Sequence, residues 1–194
     1  MITIDTISEV KRRPRRLRFT VDHYYKMIEL GMIDNYEKSE IIDGEMVPKM
    51  TIGDRHAWVV DSLIRFFIKH LPDSILVRGQ NPLRLSAFDE PEPDIVLADR
   101  TRLDARRHPR PAETILVVEV SDSSLRYDRD TKLPLYAEAG IAEVWIVNLR
   151  DNVVEVHQKP NLGIYQQTYF FGRGQTVDST VLPELKLDVN EILD

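Results

Sequence analysis

The sequence predicts a mixed α/β domain in which a central β-sheet is flanked by helices, and three observations lead to this fold class. Two short apolar runs have the character of buried strands, DIVLAD at 94–99 and ILVVEVS at 115–121. The segment HAWVVDSLIRFFIKHL at 56–71 repeats apolar residues with the period of a helix packed on a sheet. The chain has 194 residues, is 42% hydrophobic and shows no internal repeat or linker, so we predict a single domain spanning 1–194.

The N-terminal part begins with a predicted basic arm, residues 1–19. It contains KRRPRRLR, with six positive charges in eight residues. Thr20 is a plausible helix N-cap for the following VDHYYKMIELGMI. The segment SEIIDGEMVPKM at 39–50 places Asp-Gly between two apolar-alternating arms, which predicts a β-hairpin.

The remaining elements alternate between strands and one further helix. Besides the two buried runs, strands are predicted at 74–79 and 82–88. A helix from Asp128 to Ala139 is closed by Gly140, and its Pro134 either confines the helix start or kinks it. The C-terminal segments EVWIVNL, VVEVHQ, GIYQQTYFF and LPELKLDVNEIL add strands and a short terminal helix.

Composition excludes several classes of function. The chain has no cysteine, which removes disulfide frameworks and thiolate chemistry. It has no apolar run of membrane-spanning length and no signal-peptide pattern, so we expect a cytoplasmic protein without a membrane partner. The formal net charge of −6 argues weakly against polyanionic partners.

Two carboxylates stand out because they occur in segments that otherwise read as core. Asp94 opens one apolar strand, and Glu119 interrupts the next, where alternation places Glu119 and Ser121 on a face that is otherwise apolar. A buried carboxylate needs compensation. A salt bridge to an arginine is one solution, and a shared Mg²⁺ ion, which prefers oxygen ligands, is the other.

A wider set of residues resembles a known family. The set comprises PD at 93–94, VEV at 118–120, Asp128, Lys132, Tyr136, AG at 139–140 and EVWIV at 143–147. This combination resembles the Uma-type restriction endonucleases of the PD-(D/E)XK nuclease superfamily, and the resemblance extends from SEIIDGEMV to LPELKLDV. It implies a restriction-endonuclease-like core with additional β-strands at the C-terminus.

The resemblance also implies a metal site and a catalytic lysine. Asp94 and Glu119 match the metal-binding carboxylates, and the backbone carbonyl of Val120 takes the place of a third ligand. The implied cofactor is Mg²⁺ or Mn²⁺. The superfamily pattern has a lysine two positions after the glutamate, where this chain has Ser121, and Lys132 matches the position from which a following helix supplies that lysine.

Lys132 has a simpler alternative role. It could form an ordinary i,i+4 helix pair with Asp128, which contributes only a few tenths of a kcal/mol. However, it shares a helical face with Leu135, Tyr136 and Ala139, so we predict that it points towards the sheet. Its ammonium should then lie near the Glu119 carboxylate.

Further residues are expected to line the same site. Glu40 matches an acidic family position beside the same site, Glu45 is an alternative, and either could be a solvated hairpin residue. His56 and Gln80 match positions that line the site. The other histidines show no ligand spacing, so no zinc site is predicted.

The expected substrate is DNA. The segment 99–110 between the two carboxylate strands carries five arginines that could contact phosphates, although charged runs are most often solvated surface. Two functions therefore remain open: a metal-dependent endonuclease that hydrolyses phosphodiester bonds, and a catalytically inactive module with the same fold. A carboxylate-pair glycosidase is weaker, because nothing supplies a sugar platform. We expect a homodimer, since superfamily members often pair to address two strands.

Overall fold

The computed structural model describes residues 17–104 and 106–193, which contain ten strands and four α-helices. The helices are α1 (Val21–Glu29), α2 (Asp54–His70), α3 (Leu125–Tyr127) and α4 (Leu133–Glu138). The strands are β1 (Ser39–Ile42), β2 (Glu45–Pro48), β3 (Ile75–Gly79), β4 (Ile95–Asp99), β5 (Thr114–Ser121), β6 (Glu143–Asn148), β7 (Val153–Asn161), β8 (Ile164–Phe171), β9 (Thr176–Asp178) and β10 (Lys186–Asp188). Most of the predicted basic arm, residues 1–16, lies outside the described residues.

A mixed six-stranded sheet forms the centre of the fold. Its strand order is β3-β4-β5-β6-β7-β8. β5 and β6 are parallel, and all the other neighbours are antiparallel. The parallel pair requires a crossover, which the α3 to α4 segment supplies. Two small antiparallel pairs, β1 with β2 and β9 with β10, complete the strands.

The sheet is covered on both faces, as expected from its apolar inner strands. On one face, α2 packs Val59, Leu63 and Phe67 into a core shared with the inner strands. On the other face, Tyr136 of α4 packs against Val117 and neighbouring strand residues. Burial on both sides explains why β4, β5 and β6 are nearly uniformly apolar.

Several predicted elements are confirmed. Thr20 caps α1 by accepting a hydrogen bond from the backbone nitrogen of His23 at 3.1 Å. The hairpin at 39–50 forms as β1 and β2, with Asp43 and Gly44 both at positive φ, as its tight turn requires. The C-terminal segments form strands and end in a 3₁₀ turn, Val189–Glu191.

The predicted strand at 82–88 is wrong. This segment is irregular because its backbone bonds close a local loop instead of a sheet ladder. Leu83 donates to the carbonyl of Pro91 at 2.9 Å, and Leu85 donates to Asp89 at 3.0 Å. The segment therefore folds back on the residues immediately before β4.

The predicted helix at 128–139 begins earlier and is not uniform. Helical backbone starts at α3, passes through a π-helical turn (Asp128–Lys132) and continues as α4. Pro134 lies in the first turn of α4, directly after the π-helical turn. A proline ring clashes with the carbonyl four residues earlier in a regular helix, and the wider turn there accommodates it. Gly140 follows the helix at φ 77°.

Among the described residues, none of the helices combines the length and apolar character needed to cross a bilayer.

Candidate active site

The two carboxylates meet where β4 begins beside β5. These strands are antiparallel, and the last pair in register is Ile95 with Val118. Continuing that register by one residue places Asp94 opposite Glu119, on the same face of the sheet, where opposite Cβ atoms lie about 4.5–5.5 Å apart. Both side chains line one cleft. The adjacency of the two strands agrees with the sequence analysis, and the sharing of one ion by the two carboxylates stays a prediction.

Asp94 is fixed by contacts on both of its carboxylate oxygens. Its Oδ2 accepts a hydrogen bond from the backbone nitrogen of Val120 at 2.8 Å, just beyond the end of the β4 ladder. Its Oδ1 lies 2.8 Å from Nε2 of His56, at the start of α2. The backbone carbonyl of Asp94 accepts from the nitrogen of Gln80 at 2.9 Å. His56 and Gln80 line the cleft with Asp94, as the sequence analysis predicted.

Lys132 points inward, as its helical face predicted. Its ammonium lies 3.3 Å from Oε1 of Glu119 and 3.4 Å from Oε2 of Glu40. It also donates to the backbone carbonyl of Glu92 at 3.2 Å. The side chain is only 8% exposed. The compensating cation for Glu119 is thus a lysine from the crossover helix and not an arginine.

Ser121 occupies the superfamily's lysine position and has a definite role in the structure. Its hydroxyl is buried and donates to Oδ2 of Asp128 at 2.7 Å. Asp128 is the first residue of the π-helical turn, and Lys132 is the last. The serine therefore connects the strand that bears Glu119 to the turn that carries the lysine.

Glu40 reaches the same site from the β1–β2 hairpin. It is buried, and its Oε2 accepts from the backbone nitrogen of Glu92 at 2.9 Å. Of the two glutamates proposed from the hairpin, Glu40 lines the cleft. The assignment of Glu40, Asp94, Glu119, Lys132 and the Val120 carbonyl to catalysis or metal binding stays a prediction.

Two tyrosines complete the site, and the sequence analysis did not assign roles to them. Tyr136 donates its hydroxyl to Oε1 of Glu119 at 2.6 Å, and Tyr127 donates to Oε1 of Glu40 at 2.8 Å. The spacing could have indicated both, because Tyr127 and Tyr136 flank Lys132 by five and four residues on a helical segment. Each hydroxyl fixes the rotamer of one carboxylate.

Carboxylates outnumber cations in the cleft, and three of them, Glu40, Glu119 and Asp128, are buried. The cleft encloses about 560 Å³, and its lining includes seven carboxylates against three lysines. Burial raises the pKa of Glu119 well above its usual range; Lys132 opposes this shift, and Asp128 and Asp94 add to it. Burial by itself lowers the pKa of Lys132, but the carboxylates around it, Glu119 first, outweigh burial and raise it. The lysine is therefore a permanent cation.

The pKa of His56 is also raised by a neighbouring carboxylate, against the effect of burial. Burial disfavours its charged form, but the hydrogen bond and charge of Asp94 outweigh this and raise the pKa of His56. Even with this imidazole and three ammonium groups, the cleft retains an excess of negative charge.

This donor set suits a hard divalent cation. Mg²⁺ is usually bound through one or two carboxylates, with waters and substrate phosphates completing an octahedron. Within residues 17–104 and 106–193, no three His, Asp or Glu side chains are placed to enclose one ion by themselves. Two carboxylates at a solvent-reachable cleft with surplus negative charge meet the magnesium pattern, because Asp94 and Glu119 each retain lone pairs beyond their present contacts.

The sheet and cleft together define the restriction-endonuclease-like fold, in which neighbouring strands present an aspartate and a glutamate at one end of a mixed sheet. The family Uma2, described as "Putative restriction endonuclease", matches residues 21–190, and the chain belongs to this family.

A solved structure supports the fold assignment. The chain is similar to the crystal structure of a "putative nuclease belonging to DUF820" from Anabaena variabilis, with a TM-score of 0.70 and 14% sequence identity. The similarity covers 90% of this chain and 97% of that one. No protein of curated function matches the chain.

Proposed function

We propose that this protein is a metal-dependent endonuclease that hydrolyses phosphodiester bonds of DNA, with Mg²⁺ or Mn²⁺ as its cofactor. The observation that carries the proposal is the buried ammonium of Lys132, held between Glu119 and Glu40 beside Asp94 in an open cleft. A structural ion pair needs one carboxylate beside the lysine, whereas Lys132 has Glu119, Glu40 and Asp94 around it, a set that suits a divalent cation and a phosphate.

The residues divide into those that would hold the ion and those that act on the substrate. Asp94, Glu119 and the carbonyl of Val120 would hold the divalent cation. When bound, such an ion polarises a phosphoryl oxygen and lowers the pKa of water. His56 and the Val120 backbone nitrogen hold Asp94 in position, and Tyr136 does the same for Glu119.

Lys132 supplies a fixed positive charge at the reacting phosphate. Its raised pKa keeps it protonated, so it can orient the attacking water by hydrogen bonding and stabilise charge that develops on the phosphate. It donates hydrogen bonds and cannot accept the water's proton, so that proton would leave to solvent through the open cleft. Glu40, held by Tyr127, lies beside that ammonium and is the carboxylate placed to fix its direction.

A direct test compares cleavage of supercoiled and linear DNA with Mg²⁺, Mn²⁺ or EDTA, with single-stranded RNA as a parallel substrate. We expect cleavage of DNA that requires the metal and is lost in Lys132→Ala. Lys26→Ala is the matched control, because Lys26 also pairs with a glutamate on a helix, at 2.8 Å, but lies at the surface. It should retain full activity.

The competing function is a catalytically inactive module that keeps the nuclease fold. Ser121 in place of the superfamily's lysine favours it. Wild-type protein that binds DNA without metal-dependent cleavage would establish this alternative and exclude the endonuclease. A homodimer stays a prediction, which sedimentation of the purified protein can test.

A further inference from the structure

A second cavity, separate from the catalytic cleft, is lined mainly by arginines. It encloses about 370 Å³. The residues that matter for its chemistry are Arg78, Arg84, Arg106, Arg107, His108 and Arg110. We name this cavity the arginine pocket. Its lining contains five guanidinium groups and a single carboxylate, that of Glu90, so it is strongly positive in a protein whose formal net charge is −6.

The arginine pocket lies on the same side of the sheet as the catalytic residues. Arg78 of β3 pairs with Val96 of β4, and Val96 belongs to the core cluster that contains Val117 and Tyr136. Paired residues of neighbouring strands share a face, so Arg78 is on the face that carries Glu119. Arg78 and Glu119 therefore project from the same face of the sheet.

A third cavity has lining residues in common with each of the two. It shares Tyr25 and Glu90 with the arginine pocket, and it shares Glu40, Lys49 and Glu92 with the catalytic cleft. Glu90 and Glu92 are two residues apart, about 7 Å in extended chain. The three cavities thus follow one another along the protein surface.

The guanidinium groups of the arginine pocket are not all used by the fold. Arg107 is committed to a bidentate pair with Glu113, at 2.8 and 3.1 Å. By contrast, Arg78 donates to a neutral partner, Oδ1 of Asn81, at 3.0 Å. Arg84 contacts Asp22, whose side chain is 81% exposed, so that pair is solvent-screened and weak.

Two buried polar atoms of the arginine pocket lack partners. Within the described residues, Nε of Arg78 and Nδ1 of His108 are buried and make no hydrogen bond. Burial lowers the pKa of Arg78. Burial also lowers the pKa of His108, with the charge of Arg78 adding to this and that of Glu90 opposing it. Buried polar groups are normally hydrogen-bonded, so these two nitrogens are groups of the arginine pocket that the described residues leave unsatisfied.

We propose that the arginine pocket binds a phosphate group of the nucleic-acid strand, at a position outside the scissile phosphate. Guanidinium forks match the geometry of phosphate oxygens, and phosphate contacts of this kind fix the register of a strand without reading its sequence. The proposal rests on the proposed nuclease function, because the phosphate in the arginine pocket would belong to the strand that the catalytic cleft cuts. It explains how an acidic protein with an acidic catalytic cleft gains affinity for a polyanion.

The test uses two exposed arginines of one loop that differ in their relation to the arginine pocket. Arg110 lines it and Arg102 does not, and both are exposed. Binding of a labelled duplex and of its single strand is measured in EDTA over a range of salt concentrations. We expect Arg110→Gln to weaken binding about tenfold and to reduce the slope of log K against log salt by about 0.7–0.9. Arg102→Gln should leave both quantities close to wild type.

A second variant and an NMR titration with inorganic phosphate test the arginine pocket independently of Arg110. Arg78→Met removes the guanidinium whose Nε is buried and should weaken binding at least as much as Arg110→Gln, with its thermal unfolding midpoint recorded to confirm folding. Inorganic phosphate, titrated into wild-type protein, should shift the imidazole resonances of His108 and raise its pKa, because a bound anion favours the protonated ring.

The outcomes separate this proposal from the catalytic one. Equal binding by Arg110→Gln, Arg102→Gln and wild type overturns it, as does a wild-type protein that binds neither strand nor duplex. Should phosphate shift His108 while Arg110→Gln binds the oligonucleotides normally, the arginine pocket serves a free phosphate and the nucleic-acid assignment is wrong. Cleavage lost only in Lys132→Ala concerns the catalytic cleft, whereas binding lost in Arg110→Gln concerns the arginine pocket.

Discussion

Replacing Lys132 by methionine should destabilise the metal-free protein strongly, because the substitution removes the central cation and keeps most of the side-chain volume. Two carboxylates lie 3.3 and 3.4 Å from the ammonium. With an effective dielectric constant of about 20, each pair is worth about 5 kcal/mol. Desolvation of the buried ammonium opposes this by several kcal/mol, so the net loss should be about 3–5 kcal/mol.

The measurement is urea unfolding at pH 7 in EDTA, followed by circular dichroism. Lys26→Met is the matched control, since its surface pair with Glu29 should contribute less than about 1 kcal/mol. The double variant Lys132→Met/Glu119→Gln should recover a large part of the loss, because it removes a buried acid that the first substitution leaves without its cation. Divalent cations should stabilise Lys132→Met more than wild type, since an added cation offsets the same excess of carboxylates.

A loss below about 1 kcal/mol for Lys132→Met would contradict this reasoning, because it would mean that Glu119 and Glu40 are not paired with the ammonium in solution. A double variant less stable than Lys132→Met would show that Glu119 contributes through contacts other than its charge.

Three further predictions concern stability. Burial alone raises the pKa of Glu155, but hydrogen bonds from neighbours that include Arg129 outweigh it and lower the pKa to about 2. This depressed folded-state pKa contributes stability that is complete above pH ~4.5 and is lost as the pH falls towards 2, by up to about 3 kcal/mol. Urea titrations of Glu155→Gln should lack that part of the acid dependence, and an unchanged pH profile would refute it. Gly44→Ala should lose more than about 1 kcal/mol, since Gly44 has φ 71° and a Cβ would lie 2.8 Å from the carbonyl of Phe19; a thermal midpoint equal to wild type would show that the turn adapts. Thr20→Ala should lower the free energy of unfolding by about 1 kcal/mol, because it removes the hydroxyl that caps α1, whereas Thr20→Asn keeps a capping oxygen and should leave it unchanged.

The parts of the fold that the sequence predicted are those governed by short-range periodicity. The strands at 94–99 and 115–121 and the helix at 56–71 each have an apolar pattern that only one local structure buries. The hairpin at 39–50 has a turn whose chemistry fixes its register. Asp94 and Glu119 were conspicuous because each contradicts the apolar pattern of its strand.

Features that depend on distant contacts were not predictable in the same way. The segment 82–88 alternates like a strand, but its backbone donors are used by residues 89–91, and nothing in the pattern reveals that competition. Similarly, Glu92 takes part through its backbone carbonyl, which no side-chain pattern can indicate. The sequence left the arginines of 99–110 as either phosphate contacts or solvated surface, and it could not show that three of them, Arg106, Arg107 and Arg110, line a cavity with Arg78 from a strand.

The position of Lys132 follows from a local conflict that the sequence does contain. Pro134 cannot continue a regular helix, because its ring meets the carbonyl of the residue four positions earlier. The π-helical turn from Asp128 to Lys132 resolves this by carrying the hydrogen bond from Leu133 to the carbonyl of Asp128, five residues back. Ser121 then holds the start of that turn through Asp128. A lysine at 121 would occupy the same face as Glu119 and compete for the space that Lys132 fills. The serine therefore holds the start of the turn that carries Lys132, and the proline follows its end, where the wider turn accommodates the ring.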